Sequence, residues 1–166
     1  MHQQLQLCSS ALQLLDPSLA VHLEECQSGN FFFLFRPLLV QFKREFGFED
    51  ILSLWERLWT DYLSSQFHIF FALAVLERHR TIILTHLRAF DEVLKYVNDL
   101  AGNTDLGSSL VTAEGLYNRM QKTVEAIDRK DHLPGPKSGE GSPPRKDVVV
   151  SPELRKLLRR EPVWEE

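Results

Sequence analysis

At 166 residues the chain has the length of one domain, on the usual range of about 100–200 residues per domain. Hydrophobic residues make up 43% and charged residues 25%, ordinary globular usage that excludes collagen-like and wholly disordered chains. The longest apolar stretch, Ile69 to Leu76, is far short of the roughly 20 residues of a membrane span. A net charge of −4 argues against a nucleic-acid binder. Met1 to Leu15 has no basic region ahead of its leucines, and Cys8 and Cys26 form neither a CxxC pair nor a disulfide framework. Both features fit a cytoplasmic protein in a reducing compartment.

In chain order the apolar period is helical. Leu5, Cys8, Leu12 and Leu15 share one face of a first helix. Asp16-Pro17 is a stop and restart, with Asp as N-cap and Pro at the first helical position of a second helix. Leu19, Leu23 and Cys26 form its stripe, and Gly29 ends it. Asn30 caps a third helix expected over Phe31 to Phe46, stopped by Gly47 and kinked at Pro37. Ile51, Leu54, Trp55, Leu58, Trp59 and Tyr62 give a fourth helix one broad apolar face. Phe67 to Leu76 is apolar nearly all round, which marks a central buried helix.

Two helices follow it, one opened by Asp91 and ended by Gly102, the other with a face from Leu110 to Ile127. No window alternates with a period of two, so the fold class is all-α, an irregular helical array. Residues 1–128 hold 10 Lys+Arg against 16 Asp+Glu, whereas residues 129–166 hold 9 against 7. Six of the eight prolines lie beyond residue 133. Such a stretch cannot bury enough apolar surface to offset its ordering entropy, so residues 131–150 read as a disordered linker. Beyond it, Ser151-Pro152-Glu153 is a capped helix start. Leu154, Leu157 and Leu158 share a face among Arg155, Lys156, Arg159 and Arg160. This tail, 151–166, has the pattern of a short amphipathic helix for an acidic membrane surface or a partner groove, disordered when unbound.

Catalytic chemistry finds little support. His22 and Cys26 are one turn apart and Cys8 is a third candidate ligand, but a zinc site needs three or four and no fourth is evident. Buried cysteines as small hydrophobes are the commoner case. Arg78-His79-Arg80 reads as a solvated C-terminal turn complementing the helix dipole. No GxSxG elbow and no Gly-rich phosphate loop occurs. No metal or cofactor is expected, and the chain does not read as an enzyme.

The most distinctive segment is Asn30 to Phe46, where Arg36 stands alone among Phe31, Phe32, Phe33, Leu34, Phe35, Leu38 and Leu39. A guanidinium in so apolar a run must find a carboxylate, and Glu56 or Asp61 is the expected partner. Phe35-Arg36, Lys43-Arg44-Glu45-Phe46, Leu54-Trp55-Glu56 and Trp59 together resemble the late motif of TBC domains, which activate Rab GTPases. The continuation from Phe67 to Leu100 looks like the fungal subgroup acting on the vacuolar Rab.

The resemblance covers residues 5–130. It implies an all-α fold, a Rab-type GTPase as partner, and a role in vesicle trafficking near endosomal or vacuolar membranes. The site residues it implies are Arg36, Lys43, Arg44, Glu45, Trp55, Glu56 and Trp59, either structural or facing the GTPase. The family's arginine finger comes from Ile-x-x-Asp-x-x-Arg and its glutamine from Tyr-x-Gln, both in the N-terminal half of a TBC domain. Neither pattern occurs in this sequence.

Residues 1–130 are therefore expected to be the C-terminal half of a TBC-like domain, with no catalytic residue. Leu5, Leu12 and Phe31 to Phe33 are the candidates for an apolar face exposed for want of the other half. The alternative reading is a helical interaction module without GTPase-activating activity.

Overall fold

A computed structural model of the chain describes residues 1–131 and 150–160, with the side chains of residues 130 and 131 left out. Among the described residues it is all-α and contains no strand. The helices are α1 (His2–Leu15), α2 (Pro17–Glu25), α3 (Phe35–Leu39), α4 (Phe48–Trp59), α5 (Phe67–Arg78), α6 (Arg80–His86), α7 (Phe90–Asp99), α8 (Leu106–Asp131) and α9 (Pro152–Lys156). None is long and apolar enough to cross a membrane.

The α5 helix is the axis of the fold. Phe67, Ile69, Phe70, Phe71, Ala72, Leu73, Ala74 and Leu76 are all buried, as its all-round apolar character requires. It packs along α8 and against α1 and α3. Its Phe70 ring meets Tyr117 of α8 edge-on at 5.5 Å. Along α8, Leu110, Ala113, Leu116, Met120 and Val124 turn inward at the expected helical spacing.

Asp16 does what its sequence position suggests, and more. Its carboxylate accepts from the Leu19 amide at 3.1 Å, capping α2, and Pro17 occupies the first helical position. It also pairs with Arg80, at the start of α6. Burial pushes this carboxyl up, but the Arg80 and Leu19 hydrogen bonds with the Arg80 charge outweigh it and hold it below the ordinary range. The Arg78-His79-Arg80 run is thus not merely a solvated turn. Arg80 ties α6 back to α2, and His79 Nδ1 lies 2.8 Å from the Tyr96 hydroxyl.

The helix expected over Phe31 to Phe46 is broken up. A 3₁₀ turn, Phe32–Leu34, leads into the five residues of α3, and residues 40–46 are turns. Asn30 does not hold the N-cap position, which falls to the left-handed Phe31 with φ 56°, but its side chain accepts from the Phe32 amide at 3.0 Å. Pro37 falls in the first turn of α3, where its missing N–H is no loss. A straight helix would bury only one stripe of so apolar a segment. Coiled in short pieces, it buries Phe31, Phe33, Leu34, Leu38, Phe42 and Phe46 together.

The expected orphaned face is also covered. Leu5 and Leu12 of α1 and Phe31 and Phe33 are buried, and only Phe32 stands half-exposed. The α9 helix packs against α1. Of the tail expected over 151–166, the described part, 151–160, is docked, with Leu154 and Leu157 buried beside Val150, while 161–166 lie outside the described residues. The linker expected over 131–150 lies, except for its end residues, outside the described residues.

Candidate functional site

The seven residues singled out by their motif separate into two groups. Arg36 of α3 and Glu45 of the following turn form an ion pair at 3.2 Å, with side chains 35% and 10% exposed. Arg36 therefore finds neither Glu56 nor Asp61. The chain reverses after Val40 and brings Glu45 back to α3, a proximity no helical spacing would suggest. The Glu45 carbonyl accepts from the Gly102 amide at 2.9 Å, so the turn is fixed to the junction of α7 and α8. Arg36 Nε and Glu45 Oε2 are buried with no hydrogen-bond partner. The pair is a structural brace with a tight polar balance.

Replacing Arg36 with alanine leaves the Glu45 carboxylate buried with neither oxygen neutralised. Full burial of both partners would put the loss at about 3–5 kcal/mol. Because Arg36 is one-third exposed, we expect about 2 kcal/mol, or a melting point lower by about 4–8 °C. A melting point within error of wild type would place Arg36 on the solvent face instead.

In the second group Lys43, Arg44, Glu56 and Trp59 are exposed, and Trp55 is partly buried against the core. Lys43 and Arg44 project from the 40–46 turn and Glu56 from α4. Trp55 and Trp59 stack at 5.2 Å with an interplanar angle of 25°. Both indoles converge on Gln41. Trp55 Nε1 donates to the Gln41 carbonyl at 2.8 Å, and Trp59 Nε1 donates to Gln41 Oε1 at 3.2 Å.

Gln41 can serve both because its backbone is left-handed, with φ 49°, as is that of Phe42, with φ 61°. Two consecutive bulky residues in this region are strained by about 1–3 kcal/mol each. Buried contacts hold them there. Phe42 inserts edge-on against Phe71 at 4.9 Å.

Around the indoles α4 carries a second apolar stripe. Ile51 and Leu54 face the core. Phe48, Leu52, Trp55 and Trp59, at i, i+4, i+7 and i+11, form a neighbouring line on the surface. Phe48 is 77% exposed and Trp59 63%. Leu39, at the end of α3, is exposed as well.

The single broad face expected from the sequence, Ile51, Leu54, Trp55, Leu58, Trp59 and Tyr62, joined the exposed Trp59 to the buried Ile51 and Leu54 and left out Phe48, Leu52 and Gln41. The breadth of apolar positions on α4 was the available signal, too wide for a single buried face. The other candidates carry no such surface. Burial pushes the Cys8 thiol up to about 12, and His22 Nε2 is 2.9 Å from the Leu87 carbonyl. Among the described residues no three His, Cys, Asp or Glu side chains are placed to hold a metal ion.

Comparison with known proteins gives this geometry a family. The model of the Rab-GTPase-TBC domain matches residues 1–84, from α1 into α6. A GTPase-activating protein GYP7 of Yarrowia lipolytica is 49% identical over 160 residues, 96% of this chain and 21% of that protein. Its counterpart in Debaryomyces hansenii is 46% identical over 168 residues, 98% of this chain and 22% of that protein. TBC1 domain family member 17 of Homo sapiens is 37% identical over 114 residues, 69% of this chain and 18% of that protein. The chain spans about a fifth of the length of these relatives. With its matched helices, its Arg36 and Trp55 motifs and these relatives, the chain belongs to the Rab-GTPase-TBC domain family.

Proposed function

We propose that this chain supplies part of the GTPase-facing surface of a Rab GTPase activator, and that its share of the work is binding. The observation that carries the reading is the indole pair fixed on Gln41. Both Nε1 groups are satisfied internally, so the rings are held rigid while Trp59 and the Phe48–Leu52 line lie open to solvent. A preorganised aromatic patch of this kind supplies the hot spots of protein interfaces, because little side-chain freedom is lost on contact. Lys43 and Arg44 flank it on the turn and add charge-dependent steering.

Chemistry on the nucleotide needs other groups. In GTPase systems a trans arginine contributes about 10³–10⁵ in rate by stabilising charge on the transferred phosphoryl group. The two sequence patterns that deliver the family's arginine and glutamine are absent from these 166 residues. The chain by itself should therefore bind a Rab without accelerating hydrolysis.

Single-turnover assays with a panel of GTP-loaded Rabs test the second half of this, and a tenfold stimulation would overturn it. Binding is measured on the same panel. Trp59→Ala should weaken it by about 30-fold, the effect of a 2 kcal/mol hot spot, while the melting point stays close to wild type. An unchanged affinity for this variant would exclude the patch as the contact. If no Rab binds at all, the alternative of an interaction module for another partner takes its place.

A further inference from the structure

The last described segment contacts the body in a way that the family motif does not explain. Ser151 caps α9, its hydroxyl accepting from the Leu154 amide at 3.2 Å. Leu154 and Leu157 turn inward, the latter with no exposed surface. The face that the sequence offers to a membrane is here turned to the protein's own body. Two anchors tie the segment to α8. Arg155 grips Asp128 through two hydrogen bonds of 2.6 and 2.7 Å, and the Tyr117 hydroxyl donates to the Leu158 carbonyl at 3.2 Å.

Three further bonds go to the turn between α4 and α5. Ser65 donates to the Arg159 carbonyl twice, from its amide at 3.2 Å and from its hydroxyl at 3.3 Å. The Arg160 guanidinium donates to the Tyr62 carbonyl. This turn follows directly on Trp59, the last residue of α4, and contains Asp61 in a left-handed conformation with φ 48°. A non-glycine residue in that region needs its surroundings to hold it. The segment 150–160 bonds this turn on the far side of Asp61, at the neighbouring Tyr62 carbonyl and at Ser65.

We propose that residues 150–160 are a strap that sets the position of the α4–α5 turn, and through it the aromatic stripe of α4. A helix of five residues has no stability of its own, so the strap forms only when docked. Its attachment to α8 through the chain makes docking intramolecular and independent of protein concentration. Docked and undocked strap are thus two states of one molecule, and whatever undocks it loosens a surface it does not cover. The consequence for Rab binding rests on the function proposed above; the strap and its grip on α4 do not.

The test uses the full chain with Arg155→Glu, which sets two carboxylates against each other, and the charge swap Arg155→Glu with Asp128→Arg. Hydrogen exchange at the Ser65 amide reads the strap. Tryptophan emission in a Trp164→Phe background reads only Trp55 and Trp59. We expect Arg155→Glu to speed Ser65 exchange about tenfold or more and to shift the emission to the red, with both restored by the swap. Leu157→Asp should reproduce the first pattern without rescue.

Unchanged Ser65 exchange in both Arg155→Glu and Leu157→Asp would overturn the strap. Faster Ser65 exchange with unaltered emission would overturn its grip on α4. Neither readout involves a GTPase, so failure of Rab binding alone would count against the proposed function and leave the strap standing.

Discussion

Phe71→Ala should be among the most damaging single substitutions in the chain, lowering unfolding free energy by about 4 kcal/mol. Phe71 has no exposed surface and sits between Phe42, at 4.9 Å, and Phe46, at 5.8 Å. Its removal opens a cavity on α5 at the point where the strained 41–42 backbone is held down. For a chain of this size the melting point should fall by about 8–16 °C. The urea midpoint should fall with an unchanged slope if the native state remains compact. Near-ultraviolet circular dichroism should also change, because Phe42 adjoins the glutamine that orders the two indoles. A loss below about 1 kcal/mol would mean that the 40–46 turn is held from elsewhere.

Acid should destabilise the fold well above the carboxylate range. His68 of α5 has a ring nitrogen 3.2 Å from Gln4 Nε2, and burial pushes its imidazole down to about 4. At neutral pH it is uncharged in the folded chain and mostly uncharged in the unfolded chain, so it costs little stability there. Below the ordinary value of about 6.5 the unfolded chain takes up a proton that the folded chain refuses. Stability then falls by about 1.4 kcal/mol per pH unit until the folded site titrates near 4, about 3 kcal/mol in all. Denaturation at a series of pH values should show this slope in wild type and a flatter curve in His68→Gln. Parallel curves would assign the acid sensitivity to other groups, of which His79, lowered by burial and by Arg78, is the first to examine.

Much of the fold could be read from local pattern, because in α1, α2, α5 and α8 local and tertiary preferences agree. Leu5, Cys8 and Leu12 lie on the buried face of α1, and Asp16 caps α2. Phe31 to Phe46 could not be read the same way. A run with few polar residues has no period, so nothing local states where its helix breaks. The left-handed turn at Gln41 and Phe42 has no sequence signal either, since neither residue favours it. Only the demand to bury Phe42 against α5 selects it.

The same limit applies to charge. Arg36 visibly needed an acid, but Glu45 becomes its neighbour only after the reversal. Arg80 meets Asp16 across 64 positions of sequence. The division of the motif residues into the Arg36–Glu45 brace and the indole pair on Gln41 therefore had no local signal.

The contact of α9 with α1 also bears on how the chain acquires its shape during synthesis. The α1 helix is packed in part by a helix that the ribosome makes well over a hundred residues later, since α9 docks against it. At roughly 5–20 residues per second the ribosome needs on the order of ten seconds to travel from one to the other. Throughout that interval α1 lacks this packing, and a chaperone has time to hold it. Slow codons between α8 and α9 would lengthen this wait without altering a single contact in the finished protein.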